Sequence, residues 1–208
     1  MYVPPVFKED DPQRLAAFIQ KYSFATLVSG SKGSPQASHL PFLFDESRGK
    51  LGYLRGHMAK ANPHWKSVGQ DQESLAIFHG PHAYISPSLY ETRESVPTWN
   101  YAAVHVYGRG TFFTDEAQLR QLLQEVIGHF DSSYAAQWPS LSEQYQSRML
   151  QHIVGFEINA TRVEAKFKLS QNRTKAEREN VIKSLERSSD SAVAVVASLM
   201  KERSLGST

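Results

Sequence analysis

There is no cysteine anywhere in the 208 residues. That excludes a disulfide framework, a thiolate metal site and a cysteine nucleophile. No apolar run approaches the roughly 18 residues of a membrane-spanning helix, and the opening MYVPPVFKEDDP lacks the basic-then-apolar order of a secretion signal. The expected setting is the cytoplasm, with no membrane partner. Charge of one sign is also lacking, because 23 Lys and Arg face 21 Asp and Glu, a formal net charge of +2. The chain as a whole therefore does not carry the electrostatic footprint of a nucleic-acid binder. Only its end leans basic: from Lys166 onward there are nine Lys and Arg against five acids. Catalytic signatures are missing too. There is no HExxH helix, no GxSxG elbow and no pair of carboxylates set apart from turns and helix ends.

What is present is a core-forming composition, 40% hydrophobic, enough for one domain with an appended helical segment. Asp11-Pro12 ahead of Leu15, Ala16, Phe18 and Ile19 predicts a short first helix. SFATLVS and QASHLPFLF then read as strands around the turn GSKGSP, with Pro41 marking an edge or a bulge. KLGYLRG predicts a third strand, and a short helix is expected from about Met58 to Ala61. SLAIFHG reads as a fourth strand stopped by Gly80-Pro81, and AYISP as a fifth. Asn100 to Phe113 carries the longest strand signal, Asp115 caps a helix, LSEQYQSRML supports another, and HIVGFEINATRVEAKFKL returns to strand alternation. Past Gln171, Thr174 and Glu177 form a capping box, and a further helix runs from Ala192 to about Arg203. About six strands with helices between and after them predict a mainly β, α+β fold, an antiparallel barrel with peripheral helices.

Polar and aromatic groups concentrate between Leu51 and His105, at a density that a core does not require. RGHMAKAN supplies phosphate donors in Arg55, His57, Lys60 and Asn62, with Gly56 permitting close backbone approach. Trp99, Asn100 and Tyr101 offer the apolar wall and amide partners that a planar heteroaromatic ring needs. The same stretch carries few acids, so an anionic ligand would meet little repulsion.

Three phrases there, LGYLRGHMAKANPHW, SLAIFHGPHAYISPSLY and VPTWNYAAVH, resemble the PaiB-type family of FMN-binding transcriptional regulators. The likeness extends to MYVPPVF, ASHLPFLF, IVGFEI and KLSQNR, so it covers nearly the whole chain. Leu89 departs from it, standing where the family phrase has Trp. The resemblance implies a split barrel of the pyridoxamine phosphate oxidase kind, with FMN bound at the interface of a homodimer. It implies a barrel over residues 1–170 and a C-terminal helical extension over 171–208, packed on the barrel or on the dimer mate. Carried onto matching phrases, it makes Ser38, His39, His57, Lys60 and Asn62 phosphate or ribityl contacts, and Trp99 and Asn100 ring neighbours. Lys168, Ser170, Gln171 and Asn172 form a third patch, for which a strand-to-helix junction satisfying its own backbone is an equal reading. The implied function is negative regulation of transcription, with DNA or a protein as partner. The alternative is a flavin-dependent oxidoreductase, like a pyridoxamine phosphate oxidase or a flavin reductase, using the same pocket.

Overall fold

A computed structural model describes residues 1–31, 34–69 and 72–205. Seven strands are present: β1 (Phe24–Ser31), β2 (Ser34–Pro41), β3 (Leu43–Asp45), β4 (Tyr53–Ala59), β5 (Ser74–Ile85), β6 (Thr98–Phe113) and β7 (Ile153–Lys168). They form one sheet in the order β2-β1-β5-β6-β7-β4-β3. The five helices are α1 (Pro12–Lys21), α2 (Glu116–Phe130), α3 (Glu143–Leu150), α4 (Lys175–Glu186) and α5 (Ser191–Leu205). None of them is long and apolar enough to cross a membrane. The fold is the expected mainly β, α+β one, an antiparallel split barrel with several helices.

The chain separates into two compact units, one of Met1–Phe18, His79–Val104 and the residues from Glu164 onward, the other of Ile19–Phe78 and His105–Val163. Each of β5, β6 and β7 is divided between them.

In the second unit β1 and β2 form an antiparallel hairpin, from Phe24 opposite Pro41 to Ser31 opposite Ser34. The turn residues Lys32 and Gly33 lie outside the described residues. β1 pairs next with β5, β4 pairs with β3 on one side, and β4 pairs with β7 on the other, all antiparallel. QASHLPFLF is thus two strands rather than one. Proline lacks the N–H a ladder needs, and after Pro41 the chain turns inward at Phe42, whose N–H donates to the Ser23 carbonyl at 2.9 Å. The Phe42 ring meets Phe78 and Phe156 edge-on at centroid distances of 5.6 and 5.7 Å. Gly155 makes room nearby, since a Cβ there would overlap the Phe113 ring and press on Leu119 of α2.

Two local expectations are corrected. Gly80-Pro81 does not stop a strand: β5 runs through it without interruption. Burial alternates on even positions from Ser74 to Gly80 and on odd positions from Ala83 to Ile85. The proline therefore sits where the alternation slips by one residue, as a bulge allows. Nor is there a helix from Met58 to Ala61. β4 continues to Ala59, and the helical turn is a 3-10 turn at Pro63–Lys66, started by Asn62 accepting from the His64 N–H with proline in its first position.

In the first unit, the buried Glu9 carboxylate holds the amino-terminal segment to α5. It accepts from Arg203, lies 3.5 Å from Arg14, and accepts the N–H groups of Asp10 and Asp11 at 3.1 Å each. Phe18 packs on Phe167 at 5.0 Å. α4 opens on the expected capping box between Thr174 and Glu177, and Glu177 also accepts the Glu91 N–H at 3.2 Å. Thr174→Ala should lower the unfolding free energy by about 1 kcal/mol, read as a fall in the urea midpoint at constant slope.

Candidate functional site

The predicted residues fall into two groups, one in each unit. The first group is built on β2 and on the end of β4. Burial alternates along β4, so that Leu54, Gly56 and Met58 face inward while Tyr53, Arg55 and His57 share the other face. Gly56 is therefore a packing glycine: a Cβ there would come within 2.8 Å of the Phe156 ring and 3.0 Å of the Pro41 carbonyl. Arg55 is taken up by acids, paired with Glu125 and lying with its Nε 2.8 Å from Glu157. Glu157 is also gripped by the fork of Arg48 at 2.8 and 3.0 Å. The Arg48 hydrogen bonds, reinforced by the charges of Arg48 and Arg55, hold the Glu157 carboxyl below the usual carboxylate range. Arg48, Arg55 and Glu157 line a cleft of about 650 Å3 together with Phe112, Phe113 and Gln121. Arg55 is the one predicted site residue on its wall.

Past Arg55 the character changes. His57 is half-buried, and its Nδ1 is buried without a hydrogen-bond partner. Lys60 is exposed, and its ammonium has no acid partner among the described residues. Its backbone is fixed, with the N–H donating to the His152 carbonyl at 2.8 Å and the carbonyl accepting from the Trp65 indole at 3.0 Å. Asn62 reaches β2, donating through Nδ2 to Ser38 Oγ at 3.0 Å. His39 points the other way along β2; it is exposed, with Nδ1 3.0 Å from Thr26 Oγ1.

Behind Ser38 lies a residue that was not among the predicted site residues. His64 is 2% exposed, with Nδ1 2.8 Å from Ser38 Oγ and Nε2 2.8 Å from Ser29 Oγ. The signal for it was the run Asn62-Pro63-His64, an Asx-capped turn that sends the third side chain back toward the sheet. Burial lowers the pKa of both His57 and His64 below the ordinary 6.5, so both rings are neutral near pH 7.

The second group is built on β6 and on the end of β7. Asn100 is 0% exposed and donates to Ser170 Oγ at 2.9 Å and toward Met200 Sδ at 3.5 Å. Ser170 adopts a left-handed φ of 64°, which ends β7 and turns the chain toward α4. Gln171 spends its amide on the strand it follows, accepting from the Leu169 N–H at 2.7 Å and donating to the Phe167 carbonyl. Lys168 donates to Thr98. Its ammonium pKa is lowered by burial and then by the like charges of Lys166 and Arg173. Trp99 is 52% exposed beside Tyr84, 53% exposed; its ring lies 5.9 Å from Tyr84 and 5.8 Å from His82. No group of three metal-binding side chains occurs among the described residues.

The donor set on the first group suits an anion: among the described residues it has an ammonium with no acid partner, a buried imidazole nitrogen with no hydrogen bond, and a serine hydroxyl at the end of a fixed chain. At the junction Gln171 is occupied with backbone groups and Ser170 with the Asn100 side chain.

Residues 1–162 match the family described as "Putative FMN-binding domain". Over 206 residues the chain is 37% identical to "Protease synthase and sporulation protein PAI 2" of Bacillus subtilis (strain 168), covering 98% of each chain. It is 32% identical over 245 residues to "Uncharacterized protein AN0679" of Emericella nidulans, covering 98% of this chain and 97% of that one. Among solved structures, the flavocytochrome Anf3 from Azotobacter vinelandii superposes with a TM-score of 0.60 at 14% identity, covering 77% of this chain and 69% of its own. The FAD and heme binding protein from Mycobacterium smegmatis does so with a TM-score of 0.58 at 13% identity, covering 77% and 73%. At those identities the structural likeness establishes the fold.

The two depressed histidines set a pH dependence. As pH falls through 6.5, the unfolded chain takes up protons that the native rings refuse until lower pH. Stability is then full above that value and declines below it. Urea midpoints measured at about pH 7.5 and about pH 5.5 should show that decline, and His57→Gln should reduce it. A second loss, from Glu157, should begin only as pH drops through the carboxylate range.

Proposed function

Because the chain belongs to the PaiB-type family of FMN-binding split-barrel proteins, whose cofactor is FMN, we propose that it is a flavin-binding regulator that holds the FMN phosphate at Lys60, His57 and Ser38. The observation that carries the phosphate assignment is the pairing state of these groups. Among the described residues the Lys60 ammonium meets no acid and His57 has a buried nitrogen with no partner, whereas Arg55 is saturated by Glu125 and Glu157. The family match also favours this group, since residues 1–162 include it and exclude Lys168, Ser170 and Gln171. Bound there, FMN supplies one- or two-electron redox chemistry through its ring. The chain's own residues supply charge, hydrogen bonds and orientation.

The regulatory reading, negative control of transcription, is what the resemblance to the PaiB-type family implies; the 37% identical relative is named a protease synthase and sporulation protein. We take the protein to act as a homodimer with the flavin at the subunit interface. The exposed Trp99, Tyr84 and His82 surface suits self-association, because aromatic side chains dominate such contacts. A direct DNA role has thin support. In the basic tail Lys201 pairs with Glu186, Arg203 with Glu9 and Lys175 with Glu179, leaving Arg178, Lys183 and Arg187 on or beside α4 without an acid among the described residues.

Lys60→Ala with His57→Ala should weaken FMN binding by roughly a hundredfold, the scale of losing two charge-assisted contacts. Riboflavin binding should stay unchanged, both read by calorimetric titration. Lys168→Ala should leave the preference for FMN over riboflavin intact; loss of that preference would move the phosphate to the β7 junction. Trp99→Glu should convert a dimer to a monomer in sedimentation. Steady turnover of NADPH by the FMN-loaded protein would replace the regulatory reading with an oxidoreductase.

A further inference from the structure

The buried groups behind Ser38 decide which way its proton points. Asn62 Oδ1 accepts the backbone N–H of His64 at 3.0 Å, and that bond fixes the amide with Nδ2 toward Ser38. One lone pair of Ser38 Oγ is therefore occupied by a donor. On its other side stands His64 Nδ1, and beyond the ring Ser29 Oγ. Ser29 is 2% exposed, and its hydroxyl has no other partner among the described residues.

A neutral imidazole carries one ring proton, so there are two arrangements. With the proton on Nε2, the ring donates to Ser29, whose own buried proton then has no acceptor. Ser38 must give its proton to Nδ1 and is left facing outward with a lone pair. With the proton on Nδ1, the ring donates to the second lone pair of Ser38, and Ser29 donates to Nε2. The Ser29 proton, on a residue 2% exposed, is then used, and the one donor left over is the O–H of Ser38, which is 9% exposed, where an incoming group can accept it. Leaving the more deeply buried Ser29 hydroxyl unmet costs more than leaving the Ser38 hydroxyl, which keeps some access to solvent, and this favours the second arrangement.

We propose that His64 is a positioning residue: held as the Nδ1–H tautomer between Ser29 and Ser38, it makes Ser38 an outward-facing donor that selects a phosphomonoester, on the reading above that Ser38 meets the FMN phosphate. A phosphate dianion presents acceptors only, so a serine turned to offer its lone pair would repel it, and a serine with its proton outward binds it. Neither His64 nor Ser29 touches the ligand in this arrangement. Their effect is preorganisation of one hydroxyl.

The test is a long-range proton–nitrogen correlation spectrum of the 15N-labelled protein without FMN, with the His64 signals identified by their loss in His64→Gln. The Nδ1–H pattern is expected. An Nε2–H pattern would overturn the assignment and leave Lys60 and His57 standing as phosphate contacts. Ser29→Ala should weaken FMN about tenfold while leaving riboflavin unchanged; equal losses for both ligands would also overturn it. Ser38→Ala should remove the same preference. If it did not, the phosphate contact at Ser38 would fall, and the role of His64 with it.

Discussion

Phe42 alone joins the two edges of the seven-stranded sheet. β2 stands at one end of the strand order and β3 at the other, yet along the chain they are one residue apart. A flat sheet cannot satisfy that connection. The strands between the edges must curl until β2 and β4 come side by side, and the bare Gly56 backbone beside the Pro41 carbonyl is the sign that they have done so. Phe42 is also the ring that Phe78 and Phe156 pack against, so the residue that imposes the curvature anchors the core inside it.

The site follows from the incompleteness of that closure. β3 pairs with β4 only as far as Arg55, and His57 lies beyond its reach. In the gap the edges are held by side chains, Asn62 and His64 bonding to Ser38 across it. Between the two strand edges this short polar chain holds its hydroxyl, amide and ring groups already in place. Arg48 and Arg55 do different work on the same face of the sheet: they and their glutamates cancel one another's charge and fasten β4 to β7 and α2.

Much of this could be read from the chain, and where it could not the reason is physical. Helix starts were legible because capping is local: Asp115, Thr174 and Glu177 each bond to a backbone group within three residues. The strand through Gly80-Pro81 was not, because its continuity depends on neighbours that tolerate a bulge, and its glycine is buried against Phe18. Arg55 and Lys60 look alike as phosphate donors in the sequence; the acids that separate them, Glu125 and Glu157, lie 70 and 102 positions from Arg55 along the chain. His64 was visible as a residue, but its two serine partners come from a hairpin more than twenty positions earlier.

Neither compact unit is a continuous piece of chain, and this bears on how the protein is made. The unit holding Glu9 needs residues from Glu164 onward to complete it, and the Arg203 that neutralises the Glu9 carboxylate is 194 positions away. A ribosome releases the amino end first, so Glu9 waits in water until Arg203 has been made. The residues from Ile19 to Val163 can collapse earlier, but the far half of β6 lacks the end of its neighbour β7 until the last residues of that strand emerge. Such long-range closure slows folding and exposes strand edges on the nascent chain. The growing polypeptide is therefore most vulnerable to wrong pairing just before its final two helices appear.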